Sequence, residues 1–233
     1  MNARNLAFLA GALFLLLYSS RARAREAGPA GQIGMIALMW DELELTGNRR
    51  VLAERAFEAA VAAEVPPAGY TMQLYVESRY DPNARSPVGA LGLAQFMDGT
   101  AVQYDVITMP SGDKSAYFAA LAYARSTLSG DELRARIAAL NAAMLASSRT
   151  TDHRRDPDAS IAGGLRYMRA LHTRYQEEAN PWSMALAAYN WGPGNVDAWL
   201  AGRKSPPGET RRYVGRVAPY YGESPAWGEL ANA

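Results

Sequence analysis

The chain has 233 residues, 49% of them hydrophobic, 20% charged and 10% aromatic, a composition that fits one well-cored domain or two small ones and excludes a disordered or fibrous protein. Lys and Arg number 24 against 23 Asp and Glu, a net charge of +1, which lacks the basic excess that phosphate-led nucleic-acid binding needs, so no nucleic-acid partner is expected. With no cysteine, disulfides, thiol nucleophiles and thiolate-held zinc are ruled out.

Residues 6–18 are an unbroken apolar run, with Arg4 before it and Arg21, Arg23 and Arg25 after it. As a helix this run would reach about 20 Å, short of the roughly 30 Å hydrocarbon core. It reads as a short uncleaved membrane anchor or as a signal region ending near Ala22-Arg23-Ala24; the three arginines behind it disfavour export and make the orientation signal unusual. Gly28, Pro29, Gly31 and Gly34 make residues 26–34 a tether. Residues 1–34 are therefore expected to be anchor or signal plus tether, and 35–233 the folded domain.

Beyond the tether, apolar positions recur at helical spacing without any run of alternating β-branched residues, which predicts a mainly α fold. An alanine-rich helix over residues 53–64 closes at Pro66, and Pro67 suits the first turn of a second helix running to about Tyr80. Pro82, Ser86, Pro87, Gly89, Gly92 and Gly99 then mark a long loop, within which Asp98 is expected to cap a short helix. Helices around 114–128 and 131–147 follow, joined by Ser129-Gly130. Asp156-Pro157 and Asn180-Pro181 are helix starts. The first leads into Ile161, Leu165, Met168 and Tyr175, the second into Trp182, Leu186 and Tyr189 before Gly192-Pro193-Gly194 stops it. A last helix is expected from near Glu209 through Tyr213 and Val217 towards Tyr221.

His153 and His172 are the only histidines, have no partners at metal spacing, and read as one loop and one helix-surface residue. No metal and no cofactor is expected. Gly192-Pro193-Gly194 lacks the preceding strand and third glycine of a dinucleotide loop. Carboxylates remain, and Glu77 has the unusual setting: it follows Leu74, Tyr75 and Val76 at a helix C-terminus, where the dipole and apolar neighbours both disfavour the anion. A carboxylic acid still protonated near neutral pH is what protonation of a glycosidic oxygen requires.

The sequence around Glu77 carries more. Glu77-Ser78-Arg79-Tyr80-Asp81-Pro82-Asn83-Ala84 and Ser86-Pro87-Val88-Gly89-Ala90-Leu91-Gly92-Leu93-Ala94-Gln95-Phe96-Met97 resemble the first two signatures of the soluble-lytic-transglycosylase family. Ala187-Ala188-Tyr189-Asn190-Trp191-Gly192-Pro193-Gly194 resembles the third and Glu209-Thr210-Arg211-Arg212-Tyr213-Val214 the fourth. The stretch from Asp156 to Tyr167 resembles the helix that leads into the third. The four occur in family order and, with that helix, cover about residues 53–221. Arg79-Tyr80 in place of a small residue and phenylalanine, Ala94 in place of methionine and Trp191 in place of alanine depart from the family, as does the long connection 111–155, which adds an extra helical insertion.

The resemblance implies a lysozyme-like α domain of the goose-type lysozyme and lytic transglycosylase kind, acting on the glycan strands of peptidoglycan. It also implies one catalytic carboxyl, Glu77, that donates a proton to the leaving oxygen and then takes one from the C6 hydroxyl of the same MurNAc, leaving a 1,6-anhydro end without consuming water. On the substrate side it implies Ser78, Gln95, Tyr189, Asn190, Glu209 and Tyr213. Asp81 is read as a turn residue with Pro82. A lysozyme-type hydrolase using Glu77 as acid, and a non-catalytic glycan-binding protein of an envelope machine or virion, are the alternatives. A cell-envelope location follows, with membrane contact through residues 6–18. Local wall opening by a secretion apparatus or an entering phage suits the chain as well as wall remodelling does, with secretion-apparatus or virion proteins as partners in the first two settings.

Overall fold

The structure of the protein, a computed structural model, describes residues 40–41, 43–108 and 111–225; the apolar run at 6–18 and the tether at 26–34 lie outside the described residues. Among the described residues the only β structure is two isolated bridges, Arg85 with Leu91 and Leu91 with Phe96, and no helix is long and apolar enough to cross a membrane. In chain order the helices are α1 Gly47–Ala62, α2 Pro67–Ser78, α3 Asp98–Gln103, α4 Ser111–Thr127, α5 Gly130–Thr151, α6 Pro157–Arg174, α7 Pro181–Trp191, α8 Pro193–Leu200 and α9 Gly208–Val217, followed by a 3-10 turn at Ala218–Tyr221. The expected mainly α class is the one the chain adopts. The helices fall into two compact units: Met1–Tyr80 with Leu165–Ala233, and Asp81–Gly164. Helix α6 contributes to both.

In the first unit, α1 buries Leu52, Ala53, Ala56, Phe57 and Ala60, a stripe on successive turns whose small residues let α2 pack closely against it. Helix α2 is buried on every side from Ala68 to Leu74. At Gly69 an added Cβ would lie 2.4 Å from Cδ2 of Tyr221, so glycine is what lets the Tyr221 ring rest on α2. The Tyr221 hydroxyl there donates to Gln73 Oε1 at 2.7 Å. The helix ends in two consecutive left-handed residues, Arg79 at φ 52° and Tyr80 at φ 58°, a conformation bulky side chains rarely hold. Burial of the Tyr80 ring and a 2.8 Å bond from its hydroxyl to the Thr71 carbonyl hold it in place.

One local expectation for this unit, a helix-surface His172, is corrected, and the start of α7 is capped by a group the residue pattern did not specify. Helix α7 begins at Pro181 as expected, but Asn180 makes no capping bond with its side chain. The carboxylate of Glu223 caps it instead, accepting the N–H of Trp182 at 3.1 Å and of Ser183 at 2.8 Å. Gly192, at φ 94°, ends α7 as expected, and Pro193 opens α8 at once. His172 also differs from a surface histidine. It is half-buried, its ring stacks on Trp182 with centroids 3.9 Å apart, and Trp182 stacks on Tyr221 at 5.0 Å.

In the second unit the loop after α2 opens with a turn in which Asp81 Oδ1 accepts the Asn83 N–H at 2.9 Å, the role expected of it. Asp98 is not the cap of α3. It is the first helical residue after Met97, and its carboxylate pairs with Lys114 and Arg154. Helices α4 and α5 pack against each other, joined by a 2.5 Å bond from the Tyr117 hydroxyl to Asn141 Oδ1. Helix α6 starts at Asp156-Pro157 as expected, with Asp156 accepting the Ala159 N–H at 2.8 Å, and His153 is exposed in the turn before it.

Candidate active site

Glu77 is the penultimate residue of α2, held from behind by the left-handed turn and the buried Tyr80. It is half-buried rather than sealed. Burial pushes its carboxyl up to about 7, against the opposing effect of the Tyr213 hydroxyl, which favours the anion. Tyr213 reaches it from α9 and is itself buried. Its Oη has no partner in ordinary hydrogen-bond geometry, so the contact with Glu77 is a near approach rather than a formed bond; such contacts commonly tighten only when substrate is present.

Tyr189, on α7, lies half-buried with its ring tilted against Tyr167 of α6 at a centroid separation of 5.0 Å. The phenols of Tyr189 and Tyr213 are both held well above their ordinary pKa, first by burial and then by the negative charge of Glu77. Both therefore stay neutral donors at any pH at which Glu77 titrates. The structure thus brings Glu77, Tyr189 and Tyr213 together from α2, α7 and α9.

The remaining candidates take different positions. Asn190 is exposed, and its Oδ1 accepts a bond from the buried Thr210 hydroxyl at 2.7 Å. The Ser78 hydroxyl is buried and donates to the Leu74 carbonyl of its own helix at 3.1 Å. Glu209 is exposed in the first turn of α9, where a carboxylate suits the helix dipole. Gln95 belongs to the second unit and has φ 47°. Its Nε2 donates to the Ala84 carbonyl at 3.1 Å and the Gly92 carbonyl at 2.9 Å. Both amide protons are thus spent on its own loop, and only Oε1 is left to offer. Sequence reasoning overlooked Thr210 and Tyr167, although both stand inside stretches it quoted; a hydroxyl at a helix start and an aromatic on a buried helix face are ordinary features, and only the fold gives them partners. Among the described residues no group of three or more His, Asp or Glu is placed to hold a metal ion.

The site thus sets one carboxyl, pushed up to about 7, beside two buried neutral phenols, a combination that suits a group acting as both acid and base. The chain belongs to the Transglycosylase SLT domain family, whose sequence model matches residues 54–126 and 136–211. The soluble lytic murein transglycosylase of Escherichia coli strain K12 is 30% identical over 195 residues, which cover 78% of this chain and 24% of that protein. That of Salmonella typhimurium strain LT2 is 30% identical over 155 residues, 62% of this chain and 18% of its own. The chain thus spans about a quarter or less of the length of these relatives. The crystal structure of the 70 kDa soluble lytic transglycosylase from Escherichia coli superposes with a TM-score of 0.46 at 25% identity, covering 78% of this chain and 25% of that one.

Proposed function

We propose that this chain is a peptidoglycan lytic transglycosylase that cleaves the MurNAc-GlcNAc β-1,4 bond and leaves 1,6-anhydroMurNAc ends. The observation that carries the reading is Glu77: in a chain of the SLT family, the carboxyl at the first signature is pushed up to about 7 and faces Tyr213. At that pKa it is present both as acid and as base near neutral pH. As acid it protonates the glycosidic oxygen while the substrate's own N-acetyl group supports the anomeric carbon. As carboxylate, with the Tyr213 phenol lowering the energy of the anion, it takes the C6 hydroxyl proton so that O6 closes on the anomeric carbon. The proton given in the first step is recovered in the second, so no second carboxylate and no water are needed, unlike the two-carboxylate plan.

Asn190 and Gln95 are assigned to glycan contact, the former through Nδ2 and the latter through Oε1. Glu209 is assigned to the substrate side of α9, and Ser78 to support behind the acid. Residues 35–233 form the catalytic domain, with 111–155 as an insertion, and residues 1–34 hold it at the cell envelope through the apolar run at 6–18. Mass spectrometry of muropeptides released from purified sacculi tests the reading: products 18 Da lighter than the reducing forms are expected, whereas reducing MurNAc ends alone would identify a hydrolase and overturn it.

A further inference from the structure

The second unit contains a chain of charges, running from part-exposed Lys114 and Asp98 to the buried Arg154 and Asp152, that the proposed chemistry does not use. The guanidinium of Arg154, 4% exposed, is gripped by the fully buried carboxylate of Asp152, with Nε to Oδ1 at 2.9 Å and NH2 to Oδ2 at 2.6 Å. Its NH2 is also 3.0 Å from Asp98 Oδ1, an ion pair off the line of a hydrogen bond. Asp98 is in turn paired with Lys114 of α4. Lys114, Asp98, Arg154 and Asp152 therefore alternate in sign from α4 inward.

Burying the Arg154–Asp152 pair, 4% and 0% exposed, costs more in desolvation than an apolar cluster of the same volume would, so the arrangement is explained by what else the guanidinium holds. Its NH1 donates to the Phe96 carbonyl at 3.2 Å and reaches the Gly89 carbonyl at 3.5 Å. Phe96 and Leu91 exchange two backbone bonds of 3.1 Å each across the loop that carries Gln95. The neighbours of Arg154 grip the same loop. Arg155 NH1 donates to Asn83 Oδ1 at 3.0 Å, and Ser160 Oγ accepts the Ala94 N–H at 3.1 Å. The Arg154 carbonyl lies so close to Gly92 that an added Cβ would sit 1.6 Å from it. The segment 152–160 is thus a template on which the loop 83–98 is laid. Because both protons of the Gln95 amide are bonded to carbonyls of that loop, the direction of its free Oε1 is set by the loop and by nothing else on the side chain.

We infer that Arg154 is a positioning residue for Gln95, clamped by Asp152 and Asp98, and that helix α4 takes part by supplying Lys114 as the counter-charge to Asp98. The inference rests on the proposed glycan contact of Gln95. It gives part of the 111–155 insertion a task in substrate binding rather than in acid and base chemistry. Lysine does not replace Arg154, since an ammonium cannot make the two-point bond to Asp152 and reach the Phe96 carbonyl and Asp98 as well.

The test uses the full chain with Arg154→Met, Arg154→Lys and Asp98→Asn, the last at a part-exposed position that keeps the variant foldable if the buried changes do not. Two quantities are read: amide hydrogen exchange at Gly92, Gln95 and Phe96, and KM against kcat on purified glycan strands. Exchange at these amides is expected to quicken about tenfold or more, with KM rising roughly fivefold and kcat within about twofold of the parent. The basic limb of the pH profile, which Glu77 sets, stays where it was. A folded variant with unchanged loop exchange overturns the inference, as does one whose loop loosens while KM stays put or whose loss falls on kcat alone. Absence of anhydro products from the parent protein would remove the functional reading instead, and the exchange measurement would still report whether the network holds the loop.

Discussion

The Thr210 hydroxyl, buried at the start of α9, donates to the amide oxygen of Asn190 at the end of α7 across 2.7 Å. This bond decides which way round an exposed amide is held, and so which hydrogen-bonding group, Nδ2, remains uncommitted. Thr210→Val keeps the volume and removes the donor. It is expected to cost about 1 kcal/mol of stability and to raise KM for glycan severalfold with little change in kcat, while Thr210→Ser restores both. Urea unfolding and steady-state kinetics on the three proteins check it.

Glu77→Gln is expected to abolish turnover while leaving glycan binding in place, measured by anhydro-muropeptide release and by co-sedimentation with sacculi. The same variant makes a stability prediction whose sign follows from the raised pKa. The folded carboxyl, at about 7, lies above the unfolded value, so between the two the native state binds the extra proton. Stability is therefore fully present below the unfolded pKa and falls as pH rises through about 7. Glutamine carries no such dependence. The variant should unfold at higher urea than the parent at pH 8.5 and at about the same urea at pH 5.

Tyr213→Phe removes a hydroxyl that opposes the effect of burial on Glu77. The Glu77 pKa should rise further, moving the basic limb of the kcat profile to higher pH, and kcat should fall by about tenfold or more. Since that hydroxyl is buried without a bonded partner, its loss should change stability by only about 0.5 kcal/mol. A pH-rate profile beside a thermal melt separates the two effects.

Glu223→Ala leaves the first N–H groups of α7 without an acceptor. A loss of about 1 kcal/mol is expected, as for other helix caps, read as a lowered Tm. Helix α7 carries Tyr189 and Asn190, so kcat/KM should fall alongside.

Gly92→Ala combines a left-handed backbone, φ 76°, with a Cβ 1.6 Å from the Arg154 carbonyl oxygen. The obstacle is backbone, which cannot swing aside. A cost of about 3 kcal/mol or more is expected, seen as loss of the cooperative melt or of soluble protein, whereas Gly89→Ala, with open space around its Cβ, should be milder.

Much of the frame was legible in the chain. Apolar periodicity and proline placement located most helix starts within a few residues, because a helix start is a local matter of backbone angles and unsatisfied N–H groups. The Asp81 turn and the helix start at Asp156-Pro157 are legible for the same reason. Where a distant group competed, the local reading failed. Asp98 is drawn from capping into ion pairs with Lys114 and Arg154, and His172 finds Trp182 to stack on.

The candidate acid shows the same division. Its place at the end of an apolar helix was visible in the residues before it, so an upward pKa shift could be anticipated from the sequence. The size of that shift and the moderating hydroxyl of Tyr213 come from α9, more than a hundred residues along the chain. Composition and order of residues determine which helices form and which side chains are available for chemistry, because those depend on neighbours along the backbone. Burial, partner choice and the direction in which Asn190 and Gln95 offer their polar atoms depend on segments that meet only when the chain is packed.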